Sequence, residues 1–161
     1  MGLRVTSEHD GVGVVFTYSD VLRGEEAIRA SERFYTPDVL QKLHYQLADL
    51  REVNRIELTT EQIQRLAVID RAAAQQGNGF FIASVINHDL QAGVSRFYRA
   101  YLEDANPVKT QKIEAGIFKT MPAAREWLRV KLAERGIVLT VDTRTTDTKI
   151  AGEANADLPA V

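Results

Sequence analysis

The chain has no cysteine. That absence excludes disulfides, thiolate zinc sites and cysteine nucleophiles together, while leaving the compartment open. Basic charge is not in excess either: 20 Lys and Arg stand against 22 Asp and Glu, a formal net charge of -2, with the cations scattered among acidic neighbours. A phosphate backbone needs a basic patch or stripe, so no nucleic acid partner is expected. Nor is there an apolar run near the roughly 20 residues that cross a bilayer. Residues 1–10 carry Arg4, Glu8, His9 and Asp10 where a signal peptide needs a basic and then an apolar stretch. A cytoplasmic protein without membrane insertion is the expectation. Histidine is scarce, and no two of His9, His44 and His88 stand at the helical spacing of paired metal ligands, so neither a metal nor a cofactor is expected. The Gly77-Asn78-Gly79 run precedes a predicted strand, whereas a dinucleotide-binding loop must follow a strand and open a helix.

What remains is an ordinary soluble composition, 45% hydrophobic over 161 residues, enough for one core. Residues 3–6 and 12–18 are β-rich runs separated by a polar stretch ending in Asp10-Gly11, which predicts a hairpin. In the second run Val12, Val14, Phe16 and Tyr18 share one face. Ser19 or Asp20 can cap a helix running to about Tyr35, where Thr36-Pro37 stops it. Leu43, Tyr45 and Leu47 alternate with polar or small residues in a third strand that closes at Asp49-Leu50-Arg51, followed by a short polar loop.

Thr59 or Thr60 caps the next helix, with Ile63, Leu66, Ala67, Asp70 and Ala73 on one face. After the breaker at 76–79, residues 80–86 are apolar except for Ser84. Such a strand is covered on both faces, as in a parallel or mixed sheet. Leu90, Val94, Phe97, Tyr98 and Tyr101 predict a third helix to about Glu103, stopped by Asn106-Pro107. Ile113, Ala115 and Ile117 mark a fifth strand nearer an edge, and Thr120, Pro122 and Gly136 bracket a last helix with Ala124, Trp127, Leu128 and Leu132 inward. The expected fold is α/β: a small mixed, largely parallel five-stranded sheet flanked by about four helices, spanning residues 1–136. Residues 137–161 form an extension, with strand propensity over 137–141 and then a polar tail. A polar tail with no core of its own is ordered by lying on another surface, so a homodimer with tail contacts is expected.

In open α/β sheets ligands bind beyond the carboxyl ends of the strands. That rule gathers Asp49, Arg51, Asn87, His88, Asp89 and Arg96 as a rim that could hold a small anion or polar metabolite. The plainer alternatives are an Asp49–Arg51 loop pair and a helix cap at Asn87 or Asp89. Ser84 and Ser95 lack a Gly-x-Ser-x-Gly context, so no catalytic residue is assigned. Phe97, Tyr98 and Tyr101 read as core first and as a pocket lining second.

Four segments carry a resemblance. They are Val12-Gly13-Val14-Val15-Phe16, residues 45–51 (Tyr-Gln-Leu-Ala-Asp-Leu-Arg), residues 93–98 (Gly-Val-Ser-Arg-Phe-Tyr), and Phe118 with residues 123–128 (Ala-Ala-Arg-Glu-Trp-Leu). In their order over about three quarters of the chain, the elements resemble the SpoIIAA-like branch of the STAS-related bacterial proteins. The resemblance implies a non-enzymatic regulatory or protein-interaction module like the anti-sigma-factor antagonists, with a protein partner. In those proteins a phosphorylated serine opens the helix after the third strand. Thr59-Thr60 falls at about that place, although Glu57-Leu58 and Glu61-Gln62 do not reproduce the Asp-Ser-Ser-Gly pattern and the loop from Asp49 is longer. A helix N-terminus can hold a phosphate there; a cap alone is the plainer reading. Larger relatives carry lipid on this topology, which adds an alternative function, binding of a small anionic or lipid-like ligand at the strand-end rim.

Overall fold

The computed structural model describes residues 2–104 and 113–139. Its organisation follows from the apolar run at the centre of the sequence: in β4 (Phe80–Val85) all six residues are buried, because layers cover both faces of the strand. The sheet has five strands in the order β1-β2-β3-β4-β5. β1 (Leu3–Glu8) pairs antiparallel with β2 (Gly13–Arg23) across a turn in which His9, Asp10 and Gly11 all take positive φ. From β2 onward β3 (Tyr45–Glu57), β4 and β5 (Ile113–Phe118) are parallel, and β5 is the edge, as its mixed composition predicts. The crossovers that parallel pairing requires are α1 (Gly24–Phe34) with α2 (Pro37–Lys42), α3 (Thr60–Gln76) and α4 (Asp89–Asp104), while α5 (Met121–Glu134) follows the last strand.

The pleat divides the core in two. Val14, Phe16, Phe80, Ile82, Ile113 and Ala115 point toward α1–α4 and pack on Phe34, Leu40, Ala67, Ala74 and Leu102. Val15, Tyr45, Leu47, Phe81, Ala83 and Val85 point the other way, under Ala124, Leu128 and Leu132 of α5. Among the described residues no helix is long and apolar enough to cross a membrane.

Four expectations need correction. Neither Ser19 nor Asp20 caps α1: β2 continues to Arg23, and α1 starts at Gly24 with no side-chain cap. Asp20 sits at φ 59, a left-handed conformation that aspartate tolerates, beside register shifts that let the strand go on. Correspondingly β3 does not close at Asp49-Leu50-Arg51 but pairs with β2 as far as Arg23↔Glu57. Residues 52–57 read as a loop because four of the six are polar or charged. Pairing along β2 and burial of Val53 beside Leu22 and Leu50 outweigh that local signal. Third, Thr36-Pro37 both ends α1 and opens α2, Thr36 Oγ1 accepting from the Val39 N–H at 3.3 Å with Pro37 in the first turn, so the described residues hold five α-helices. Fourth, Ile137 and Leu139 pack on the α5 side of the core, and of the strand expected over 137–141 the described residues 137–139 show no strand pairing, while 140 and 141 lie outside the described residues. The remainder of the extension, its dimer contacts and the Asn106-Pro107 stop lie outside the described residues.

One glycine is fixed by packing. Tyr45 lies flat across Gly13 on the neighbouring strand, so a Cβ there would stand 1.9 Å from the ring. Gly13→Ala is therefore expected to cost about 2–3 kcal/mol by overpacking, more than the ~0.4–1 kcal/mol gained by stiffening the unfolded chain. A lower urea midpoint with an unchanged m-value is the expected result; an unchanged or raised midpoint would show that the ring does not lie there.

Candidate functional site

Helical spacing on α3 puts Ile63, Ala67, Asp70 and Ala74 on the face that packs against the sheet. One of those four is a carboxylate. Asp70 is only 2% exposed, and among the described residues no Lys, Arg or His pairs with it. Its partners are phenols: the Tyr98 hydroxyl of α4 donates to Oδ2, and the Tyr35 hydroxyl, at the end of α1, lies 2.6 Å from Oδ1. Tyr35 is also 2.6 Å from the Gln46 side-chain amide of β3. A phenol has one proton, so the Tyr35 hydroxyl donates to Asp70 Oδ1 or to Gln46 Oε1, not to both at once. Burial is the dominant influence and raises the Asp70 pKa to about 6, while the two phenolic hydrogen bonds pull it down. Burial and the nearby Asp70 charge push Tyr35 and Tyr98 well above their usual value, and they remain protonated donors.

This cluster forms the polar end of a cavity of about 70 Å³ between α1, α3, α4 and strands β2–β4. Its walls are Leu22, Leu50, Ile63, Leu66, Ile82 and Val94, and Ser31, Ser84 and Ser95 add hydroxyls. The Ser95 Oγ is buried without a hydrogen-bond partner. A water needs roughly 10–15 Å³ of such volume, so the space suits roughly five waters or a short organic group rather than a lipid.

On the opposite face the buried Glu8 and Tyr45 form a second cluster with the exposed Arg125. Glu8 Oε2 accepts from the Tyr45 hydroxyl at 2.6 Å and from Arg125 Nη1 at 3.0 Å, and Oε1 accepts from Nη2 at 2.6 Å. Burial pushes the Glu8 pKa up, but the hydrogen bonds from Arg125 and Tyr45 and the Arg125 charge outweigh it and hold the carboxyl below its usual range. The clamp ties β1 to α5. Beside it an open groove of about 320 Å³ includes Arg4, Thr17 and Asp49, which occupy one cross-strand row.

Of the residues singled out in the sequence, Asp49, Arg51 and Asn87 meet. Arg51 Nε and Nη2 each donate to Asp49 at 2.9 Å, and Asn87 Nδ2 donates to the Arg51 carbonyl at 2.7 Å. His88 and Arg96 are exposed and make no side-chain hydrogen bond or ion pair among the described residues. Asp49 points to the α5 face, whereas α4, with Arg96, covers the other, so the two do not share one rim. Asp89 is the first residue of α4 and exposed. Thr59 caps α3 in a reciprocal box, its Oγ1 accepting from the Gln62 N–H at 3.2 Å while Gln62 Oε1 accepts from the Thr59 N–H at 2.9 Å; Thr60 is the first helical residue, and both threonines are exposed. In the aromatic stripe of α4 Phe97 faces outward, Tyr101 joins the core and Tyr98 reaches the cavity.

Sequence reasoning placed Asp70 on the buried face of its helix without asking what would hydrogen-bond it there. The usable signal was a carboxylate on an apolar stripe, with a phenol on the apolar stripe of each flanking helical segment.

The folded state favours neutral Asp70, so between pH 3.8, its ordinary value, and about 6 it binds more protons than the unfolded chain. This group's contribution is therefore complete below pH 3.8 and lost as pH rises through 6, a difference of about 3 kcal/mol at about 1.4 kcal/mol per unit. Glu8 acts in the opposite sense, stabilising at neutral pH and losing its contribution as pH falls through its lowered pKa. The comparison with Asp70→Asn isolates the first effect. Urea unfolding from pH 4 to 7.5 is expected to show the wild type losing about 2–3 kcal/mol relative to the variant; parallel curves would contradict the assignment.

No family model matches the chain, and no curated protein matches its sequence. Among solved structures it is similar to an uncharacterized protein of the DUF3478 family from Shewanella loihica PV-4, described as having a SpoIIAA-like fold. The two are 15% identical with a TM-score of 0.49 over 78% of this chain and 91% of that one. The likeness is one of fold alone, to a protein whose description carries the SpoIIAA-like name that the sequence also suggested.

Proposed function

We propose that this protein is a non-enzymatic regulatory domain that binds a small ligand in the cavity between the sheet and helices α1, α3 and α4. The observation that carries the reading is the cavity's lining, which includes a buried carboxylate with no cation partner among the described residues and Ser95, whose buried hydroxyl has no hydrogen-bond partner. Unsatisfied buried groups cost stability and persist where something else uses them. Regulation would run through α3: Leu58, Ile63 and Leu66 line the cavity, and the Thr59–Gln62 cap between them reaches Glu25 of α1 at 3.3 Å. Occupancy would shift the start of α3. Phosphate on Thr59 would do the same by breaking its capping box, so Thr59 and Thr60 are the switch residues in this reading.

A second reading, association with a protein partner through the α3 and α4 surface, is favoured by two apolar side chains exposed on those packed helices, Val68 at 54% and Phe97 at 59%.

The test is mass spectrometry of small molecules released from protein purified from its own cells, beside a Ser95→Phe variant that fills the cavity. About one equivalent of a small molecule on the wild type and none on the variant is expected, with the variant's melting temperature held or raised. Two empty preparations that both retain a partner protein would contradict ligand binding and favour association.

A further inference from the structure

We propose that the cavity selects a short organic cation, a primary or secondary ammonium on a small apolar body, with Asp70 as its counter-ion. The inference rests on the cavity being a ligand site, as proposed above, and adds the ligand's chemical class. Asp70 is the one carboxylate in the lining, which otherwise consists of aliphatic side chains, serines, Gln46 and the phenols of Tyr18 and Tyr98. Both phenols stay protonated, Tyr18 because burial and the Asp70 and Glu26 charges raise its pKa, and Tyr98 for the reason given above. A phosphate, carboxylate or fatty-acid headgroup would therefore meet a like charge with no cation to offset it. An ammonium would meet its complement.

The carboxylate has room for it. Each oxygen accepts one phenolic hydrogen bond and keeps a further lone pair, and an ionised carboxylate is an acceptor only. Charge-assisted bonds from an ammonium to such an oxygen are stronger than those from a neutral hydroxyl, most of all where water is excluded. Ser95, whose Oγ is buried and unpartnered, also lines the cavity. Beyond the polar end, the aliphatic walls suit a few methylenes, and a volume of about 70 Å³ leaves no room for long acyl chains. Because the Asp70 pKa lies near 6, the group is ionised at pH 7.5 in the empty protein, ready to pair.

The experiment titrates the full-length protein at pH 7.5 with n-butylammonium chloride, with its near-isostere 1-butanol and with sodium butyrate, following backbone amide shifts by NMR. Butylammonium is expected to bind at least tenfold more tightly than 1-butanol, with the largest shifts at Asp70, Ser84 and Ser95, while butyrate leaves those amides unmoved. Asp70→Asn should lower the ammonium affinity at least tenfold and leave the alcohol's unchanged. The contrast among the three probes on the unaltered protein decides the matter even where that variant does not fold. Butanol or butyrate binding in the cavity as tightly as the ammonium would overturn the cation inference and leave a ligand cavity standing. None of the three moving the cavity amides, together with a Ser95→Phe variant that releases no ligand difference from its own cells, would overturn both.

Discussion

A carboxylate taken out of water into a protein core loses hydration worth several kcal/mol, and without a cation it must recover what it can from hydrogen bonds. Asp70 meets that condition through Tyr35 and Tyr98, and Tyr35 in turn reaches Gln46. One side chain of α3 is thereby connected to the end of α1, to α4 and to the central strand β3. The aliphatic contacts around it would tolerate small slips of one helix on another. The directional bonds do not, and they fix where the three helices sit on the sheet. The recovery is incomplete, as the raised pKa shows, and that residual cost is what makes the adjoining cavity chemically interesting.

The two faces of the sheet solve different problems. The α1–α4 face is broad and apolar, and among the described residues Asp70 is the buried charge on it. The α5 face has one helix for five strands, so it is apolar only beneath that helix. Past it the strands turn Arg4, Thr6 and Thr17 toward solvent, with Asp49 buried beneath them in the same groove. At the boundary the Glu8–Arg125 pair, with Tyr45 beneath it, closes the edge of the core. Being hydrogen-bonded on both carboxylate oxygens, it holds the antiparallel hairpin to the last helix across 117 positions of sequence. The same row explains Gly13: the Tyr45 ring must cross β2 to reach Glu8, and only a residue without a side chain lets it pass.

Local signals made much of the fold legible. The unbroken apolar run of β4, the mixed composition of β5, the capping threonines of α3 and α5 and the Asp10-Gly11 turn each state a physical requirement within a few residues, and each matches the structure. The misses were of two kinds. Residues 52–57 and Ser19-Asp20 look like loop or cap because their charge is a local property, while the pairing that makes them strand is between segments more than thirty residues apart. The site was illegible for the same reason. Periodicity says that Asp70 and Tyr98 face inward; it cannot say that they face each other, or that Arg51 and Arg96 fall on opposite sides of the sheet.

The central claim is that Asp70 is buried, uncompensated by a cation, and ionised only above mildly acidic pH. Carbon-detected NMR of protein labelled at the aspartate carboxyl carbon measures this directly, with Asp70→Asn to assign the resonance. A midpoint near 6 is expected for Asp70, displaced from the ordinary 3.8. A midpoint at or below 3.8 would mean that solvent or a cation reaches the carboxylate, and the account of both the helix anchor and the cavity would fail.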